Sequence, residues 1–236
     1  MIILAIETAT EACSAALLIS DEVNNTRKTH VRFQHAPREH TKLILSMLDE
    51  VLEEAGTLLK DVDAIAFGRG PGAFTGLRIA AGVAQGVALS VGKPVVPVST
   101  LATLAQSVVG HHRGEESIIV ALDARMNEVF WGEFILDKGR LELQGQEQVT
   151  PPQVLMDKLK KTEKTKKKII AIGNGWEAYP FEISDLVKHV KGCFPSAEQV
   201  AELALPLLLS GNTVPPEDAQ PVYIRNNVAK KSQKLS

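Results

Sequence analysis

The sequence predicts an α/β protein built as two lobes of related topology. Three observations carry this reading. Short apolar runs that read as buried strands alternate with amphipathic stretches at helical spacing. The chain opens on a meander of three strands before its first helix. The pattern then restarts: Ile3–Glu7 (ILAIE) aligns with Ile119–Asp123 (IVALD), each followed by a hairpin, and Ala64–Gly68 (AIAFG) resembles Ile169–Gly173 (IIAIG). Chance likeness between short apolar runs is the competing explanation. On the duplication reading, 1–105 is the first lobe, 106–210 the second, and the tail 211–236 returns to the first.

The elements follow in order. Ile2–Ile6 is a strand, Thr8–Glu11 a polar turn, Cys13–Ile19 the returning strand, and Thr26–Phe33 the third. After Pro37 comes a helix whose apolar positions Leu43, Ile44, Met47, Leu48, Val51, Leu52 and Ala55 share one face, stopped by Gly56. Val62–Phe67 is a strand, and the loop Gly68–Gly76 (GRGPGAFTG) feeds a helix running to about Val91. Lys93–Val98 is a strand, and Ser99 caps a helix reaching about Val109. In the second half Ser117–Leu122, Glu128–Leu136 and Arg140–Val149 are strands, the last two joined by a turn at Asp137–Gly139. Pro151–Lys161 is a helix, Lys168–Ile172 a strand, Ala197–Leu209 a helix, and the tail from Gly211 is irregular.

Composition narrows the function classes. The chain has 236 residues, 44% hydrophobic and 23% charged, which excludes a disordered chain. Its net charge of -2 and 5% aromatic content argue against a protein that holds nucleic acid by bulk charge or by base-stacking platforms. The start carries no basic region and meets Glu7 early, which does not read as a signal peptide. The uncharged stretch Ile79–Gly92 reads as too short to span a bilayer, and Pro94–His112 carries two prolines and two histidines. No membrane association is expected. Cys13 and Cys193 stand in no metal or redox spacing, as expected of reduced cysteines in a cytoplasmic protein.

Three features could carry chemistry. The Gly68–Gly76 loop follows a strand and opens a helix, where backbone N–H groups can face an anion. It lacks the Lys-Ser/Thr pair of a P-loop. It also lacks the downstream acid of a dinucleotide site, since no Asp or Glu occurs from Ala64 to Gly114. Either its glycines only permit a tight turn, or Gly68, Gly70, Gly72 and Thr75 touch a nucleotide, a phosphate or a partner. The helix that follows is rich in small residues, among them Ala80, Ala81, Gly82, Ala84, Gly86 and Ala88. Small residues let another helix approach closely, inside the domain or from another chain. Glu7 and Asp123 end matching strands, and across a cleft they could hold Mg2+ through water beside a nucleotide phosphate; two turn carboxylates is the plainer reading. His35 and His40 miss the i, i+4 spacing of a helical metal pair, and His111 and His112 read as a surface turn. Lys158–Lys168, with seven lysines, and the tail's Arg225, Lys230, Lys231 and Lys234 are basic patches without interleaved aromatics.

The segments ILAIETAT, HAPREHTKLILSMLDEVL, GRGPGAFTGLRIAAGVAQGVAL, PVVPVSTLATLA and PVYIRNNVA, in this order, resemble the bacterial TsaB family, also called YeaZ. The resemblance spans almost the whole chain and is weakest over about 137–195. It implies the actin-like fold shared with sugar kinases and Hsp70, with the second lobe reduced. It implies a non-catalytic subunit in the synthesis of N6-threonylcarbamoyladenosine on tRNA, paired with the catalytic paralogue TsaD and the ATPase TsaE, with TsaC supplying threonylcarbamoyl-adenylate. It also implies homodimers through the first-lobe helices, tRNA reached through the complex, and no cofactor required by the chain alone, with ATP or ADP and Mg2+ possible at the partner interface. Where the catalytic paralogue carries a His-x3-His metal motif, this chain has Thr100 and Leu104, which are not competent ligands; no metal site is expected. The expected partner-binding face comprises Leu43, Met47, Val51, Ile79, Ala80, Val83, Ala84 and Val87. The expected nucleotide or interface loop comprises Glu7, Thr8, Gly68, Gly70, Gly72, Thr75 and Asp123. The competing function is a small Mg-dependent ATPase or phosphotransferase using Glu7 and Asp123.

Overall fold

A computed structural model describes residues 1–21, 23–111, 116–137, 139–164 and 167–225. The first sheet contains β1 (Ile2–Glu7), β2 (Ala12–Asp21), β3 (Thr26–His35), β4 (Ala64–Gly70) and β5 (Val95–Ser99), ordered β3-β2-β1-β4-β5. The second contains β6 (Ser117–Asp123), β7 (Val129–Asp137), β8 (Arg140–Thr150), β9 (Ile169–Ile172) and β10 (Val187–Val190), ordered β10-β9-β6-β7-β8. Read from the β8 end, the second order repeats the first. In each sheet the opening strand pairs antiparallel with the second strand and parallel with the fourth. The restart in the sequence is therefore a repeat of topology.

The alignment within the repeat needs one correction. Ile3 pairs with Ala64, whereas Ile119 pairs with Ala171 and Ile169 pairs with Ser117. The second lobe is displaced by two residues relative to the match of AIAFG with IIAIG. Side chains alternate with period two along a strand, so a shift of two keeps every one on its face. The short strand β10 and the one-turn helix Gly175–Ala178 carry no strong periodicity and lie in the part of the sequence where the pattern was weakest.

The helices are α1 (His40–Ala55), α2 (Phe74–Val91), α3 (Thr100–Gln106), α4 (Pro152–Glu163), α5 (Gly175–Ala178) and α6 (Ala197–Leu209). Both faces of the first sheet are buried. Leu4, Ile6, Ile65 and Phe67 face α1 and α2, while Ile3, Ala5, Ala64 and Ala66 face α6. The alanines on the second face leave room for α6 to lie close. α6 answers with Ala197, Val200, Ala201, Ala204 and Leu205, a single stripe at i, i+3, i+4, i+7 and i+8. In the second sheet Ile118, Val120 and Leu122 face α3, and Ile119 and Ala121 face α4 and Trp176.

Two helices depart from a linear division of the chain at 105/106 and 210/211. α3 follows the last strand of the first sheet, yet its Leu101, Leu104 and Ala105 pack on the second sheet. α6 follows the last strand of the second sheet, yet it packs on the first. The two exchanged helices meet, and Gln106 of α3 donates to Glu202 of α6 at 3.1 Å. The tail then runs along the first lobe: Val214 forms a bridge with Val95, and Ala219 is fully buried with the α2 core.

α2 begins at Phe74, before the uncharged stretch that started at Ile79. Over its 18 residues it is long and apolar enough, by length and composition alone, to cross a membrane, and 33% of that span is buried inside the protein. Its position follows from its glycines. A Cβ at Gly76 would overlap the Thr8 carbonyl oxygen, and one at Gly72 would stand 2.5 Å from the Ala9 carbonyl oxygen. Among the described residues, a Cβ at Gly82 or Gly86 would meet nothing within 4 Å.

These glycines should separate in stability measurements. Gly76→Ala should destabilise the protein by about 1–3 kcal/mol through overpacking. Gly82→Ala should stabilise it by about 0.5–1 kcal/mol through helix propensity. Urea unfolding of both variants beside the parent protein checks the contrast.

Candidate functional site

The end of β1 and the glycine loop form one tightly packed unit. Ala73 N donates to the Ala9 carbonyl at 2.7 Å, and Thr8 Oγ1 donates to the Gly76 carbonyl at 2.7 Å. The spaces that Gly72 and Gly76 leave are thus filled by the chain's own backbone, which is the structural one of the two readings of this loop. Gly68 has the same explanation: its absent side chain is where the Glu7 carboxylate lies. Gly70 has a φ of 107°, and the Val222 carbonyl of the returning tail lies 3.0 Å from where its Cβ would be. Thr75, in the first turn of α2, is exposed.

Glu7 and Thr8 are fully buried. The Glu7 carboxylate accepts from Ala9 N at 2.6 Å and from Thr100 Oγ1 at 3.4 Å. Burial pushes its pKa from 4.5 up to about 7, and the bonds from Ala9, Thr100 and Thr8 offset only part of that. The nearby Cys13 thiol is pushed up to about 11, first by burial and then by Glu7. Asp123 is set differently. Its carboxylate accepts from Arg125 N at 2.8 Å and the Tyr179 hydroxyl at 2.9 Å, and pairs with the Arg125 guanidinium at 3.0 Å. Glu7 and Asp123 share no hydrogen-bonding or ion-pair partner among the described residues, so the structure does not assemble them into one carboxylate pair.

Between the lobes lie polar contacts with no counterpart in the motif reading. Ser99 caps α3 by accepting from Ala102 N at 3.1 Å, and its hydroxyl donates to Glu147 of β8. Arg69 stands 4.0 Å from the same carboxylate. Glu147 is mostly buried and its pKa is raised by burial, a rise partly offset by Ser99 and Arg69. Arg125 reaches Glu11 at 3.9 Å from the other lobe. Arg225, read in the sequence as part of the tail's basic patch, instead pairs with Glu128 and donates to the Ala124 carbonyl at 3.1 Å.

The expected partner face is corrected residue by residue. Met47, Val51, Ala80 and Ala84 are buried in the chain's own core against the first sheet and are not available to a partner. Leu43, Ile79, Val83 and Val87 are half-buried along the edge of that core. The open face of α2 is instead Thr75, Arg78, Gly82, Gly86 and Leu89, with Leu89 71% exposed and Leu45 of α1 56% exposed. The sequence contained this signal in Gly82 and Gly86, but a small residue that fits a core and one that floors an open face look alike in one dimension.

Of the histidines, His40 Nε2 lies 2.9 Å from the Thr10 carbonyl, and the His35 ring is tilted by 53° against Phe194 with centroids 5.0 Å apart. The side chain of His111, and His112, lie outside the described residues. In the basic stretch Lys158 pairs with Glu133 at 2.7 Å and Lys160 with Glu182 at 3.9 Å. Lys166, Lys230, Lys231 and Lys234 lie outside the described residues.

Two sheets of one repeated strand order, with the glycine loop entering a helix beside the lobe boundary, place the protein in the actin-like class. Residues 18–233 match the family described as TsaD, tRNA N6-adenosine threonylcarbamoyltransferase. The tRNA threonylcarbamoyladenosine biosynthesis protein TsaB of Escherichia coli is 40% identical over 97% of this chain and 96% of its own. YeaZ of Pseudomonas aeruginosa, a solved structure, is 38% identical and superposes with a TM-score of 0.79 over 94% of this chain and 99% of its own. A threonylcarbamoyltransferase of Chlorobaculum tepidum is 35% identical, over 42% of this chain and 31% of its own. The chain belongs to the TsaB (YeaZ) family.

The buried Glu7 makes stability depend on pH with a defined sign. In the folded protein the carboxyl keeps its proton up to about 7, whereas the unfolded chain releases it near 4.5. Stability from this group is therefore complete below 4.5 and is lost as pH climbs from there through about 7. At ~1.4 kcal/mol per tenfold change in proton affinity, the loss is about 3 kcal/mol. Glu7→Gln, which mimics the protonated carboxyl, should remove this slope between pH 5 and 7. Unfolding curves across that range that stay parallel for variant and parent would contradict the assignment.

Proposed function

We propose that this chain is a non-catalytic subunit for the synthesis of N6-threonylcarbamoyladenosine on tRNA, working in the cytoplasm. It binds a TsaD-type catalytic subunit, and through it a TsaE-type ATPase; tRNA is reached through that complex. When alone it pairs with a second copy of itself, and any ATP, ADP or Mg2+ sits at the interface with the catalytic subunit. The observation that carries this reading is the open face of α2. Gly82 and Gly86 present bare backbone beside Leu89 and half-buried Ile79 and Val83, and such a face lets the helix of another chain approach closely. The names of the relatives supply the tRNA modification.

The enzyme reading is the less favoured. Glu7 is sealed from solvent, and the glycine loop is packed against Thr8 and Ala9 instead of framing open space. That favours a subunit that supports a catalytic partner over a chain that binds Mg-ATP alone.

Two experiments test the proposal. Gly86→Arg should abolish co-purification with the catalytic subunit while leaving the fold as stable as before or about 0.5–1 kcal/mol more so, because an interior helical glycine is replaced by a better helix former. Ala84→Arg is the wrong probe, since Ala84 has no exposure and a charge there would unfold the core. Retained binding by Gly86→Arg would rule out the α2 face as the docking site. In cells depleted of the protein, tRNA nucleoside analysis should show loss of threonylcarbamoyladenosine; an unchanged level would overturn the functional proposal.

A further inference from the structure

The segment from Thr213 to Arg225 crosses from one lobe to the other, irregular except for a 3-10 turn at Pro216–Asp218. At its start, Val214 and Val95 exchange two backbone hydrogen bonds of 2.8 and 2.9 Å. Ala219 is fully buried, and Gln85 of α2 donates to its carbonyl at 3.0 Å. Val222 N donates to the Arg69 carbonyl at 2.8 Å, which lays the segment over the glycine loop. Tyr223 then meets the first turns of α2: its ring lies 5.6 Å from that of Phe74, and its hydroxyl accepts from Arg78 Nε at 3.3 Å. Arg78 itself lies 3.7 Å over the Phe74 ring. Two positions further on, Arg225 leaves the first lobe and grips the loop Ala124–Glu128 between β6 and β7, through the Ala124 carbonyl and the Glu128 carboxylate.

That loop is strained. Arg125, Met126 and Asn127 have φ values of 58°, 56° and 59°, three consecutive non-glycine residues in the left-handed region. Such residues rarely occur even singly and persist only where their surroundings over-determine them. Here the second lobe contributes Ala124 N to the Glu128 carbonyl at 3.0 Å, Glu128 N to the Arg125 carbonyl at 3.1 Å, and the Tyr179 hydroxyl to the Glu128 carbonyl at 3.2 Å. Arg225 adds a restraint carried in from the first lobe.

We infer that the segment 213–225 is a strap that couples the strained Ala124–Glu128 loop to the first turns of α2. Tyr223 and Arg225 sit on the same short extended stretch, so moving the Tyr223 ring off Phe74 and Arg78 draws Arg225 away from the loop. The linkage is reciprocal: loosening the loop frees the strap over α2. The inference stands on contacts within this single chain and does not depend on the docking role proposed for α2.

Hydrogen exchange on the full chain tests it. Tyr223→Ala removes the contact at α2 and touches nothing in the loop. It should speed exchange of the Ala124, Arg125 and Glu128 amides by about fivefold or more, with α4 and β9 unchanged. Arg225→Gln should do the same at the Leu77 and Arg78 amides. Acceleration confined to residues 221–225 in the first variant, or to the loop in the second, would overturn the inference. If Tyr223→Ala raises exchange throughout the chain, Phe74→Ala, which removes the exposed ring that Tyr223 and Arg78 pack against, decides by the same loop amides. No acceleration there would overturn it too.

Discussion

The contact on which this structure rests is the one between the turn after β1 and the entry to α2. Thr8 and Ala9 occupy space that side chains at Gly76 and Gly72 would need, and their carbonyl and hydroxyl groups bond to the Gly76 and Ala73 backbone. The contact fixes where α2 starts and how it crosses the first sheet. It also closes the chain over Glu7, whose carboxylate then lies against Gly68 and bonds to Ala9 N. A buried carboxylate without a cationic partner costs several kcal/mol unless it takes up a proton. The pKa of about 7 is that cost expressed as proton affinity. The same geometry accounts for Gly68, Gly72 and Gly76 as parts of a packing joint.

The second constraint is the exchange of helices between lobes. Each sheet needs both faces covered, because its central strands are apolar on both sides. The first sheet receives α1 and α2 on one face and must borrow α6 for the other, and the second sheet borrows α3. Neither lobe has a complete core without residues from beyond the other. Small residues decide the fit: Ala5, Ala64 and Ala66 face Ala197, Ala201 and Ala204.

The repeat, most of the strands and the helical stripes are legible in the sequence because they rest on local periodicity. Ile2–Glu7 and Ser117–Asp123 read as buried strands from four or more apolar residues in a row, and so they are. What one dimension hid was destination. Nothing in Ala197–Leu209 says that its stripe faces the first sheet, because the partner alanines lie far upstream. Met47, Val51, Ala80 and Ala84 were assigned to a partner for the same reason, since an apolar helical stripe reads alike whether it meets its own sheet or another chain. β10 gives no signal in the sequence because it is four residues long and its middle two, Lys188 and His189, are polar. The interlobe contacts of Ser99, Glu147 and Arg225 pair residues too distant in sequence for spacing to reveal.

α2 shows where the internal account stops. Gly76 is explained by Thr8, and the alanines at 80, 84 and 88 by the sheet beneath them. Gly82 and Gly86 have no such explanation among the described residues. Each costs about 1 kcal/mol relative to alanine in a helix interior, and no neighbour within 4 Å requires it. The same face has no acid to draw water, since none occurs from Ala64 to Gly114, and it leaves Leu89 71% exposed. Among the described residues, nothing offsets the two glycines or covers Leu89. This is the observation behind the docking proposed for α2: a bare backbone at i and i+4 suits the close approach of a second helix.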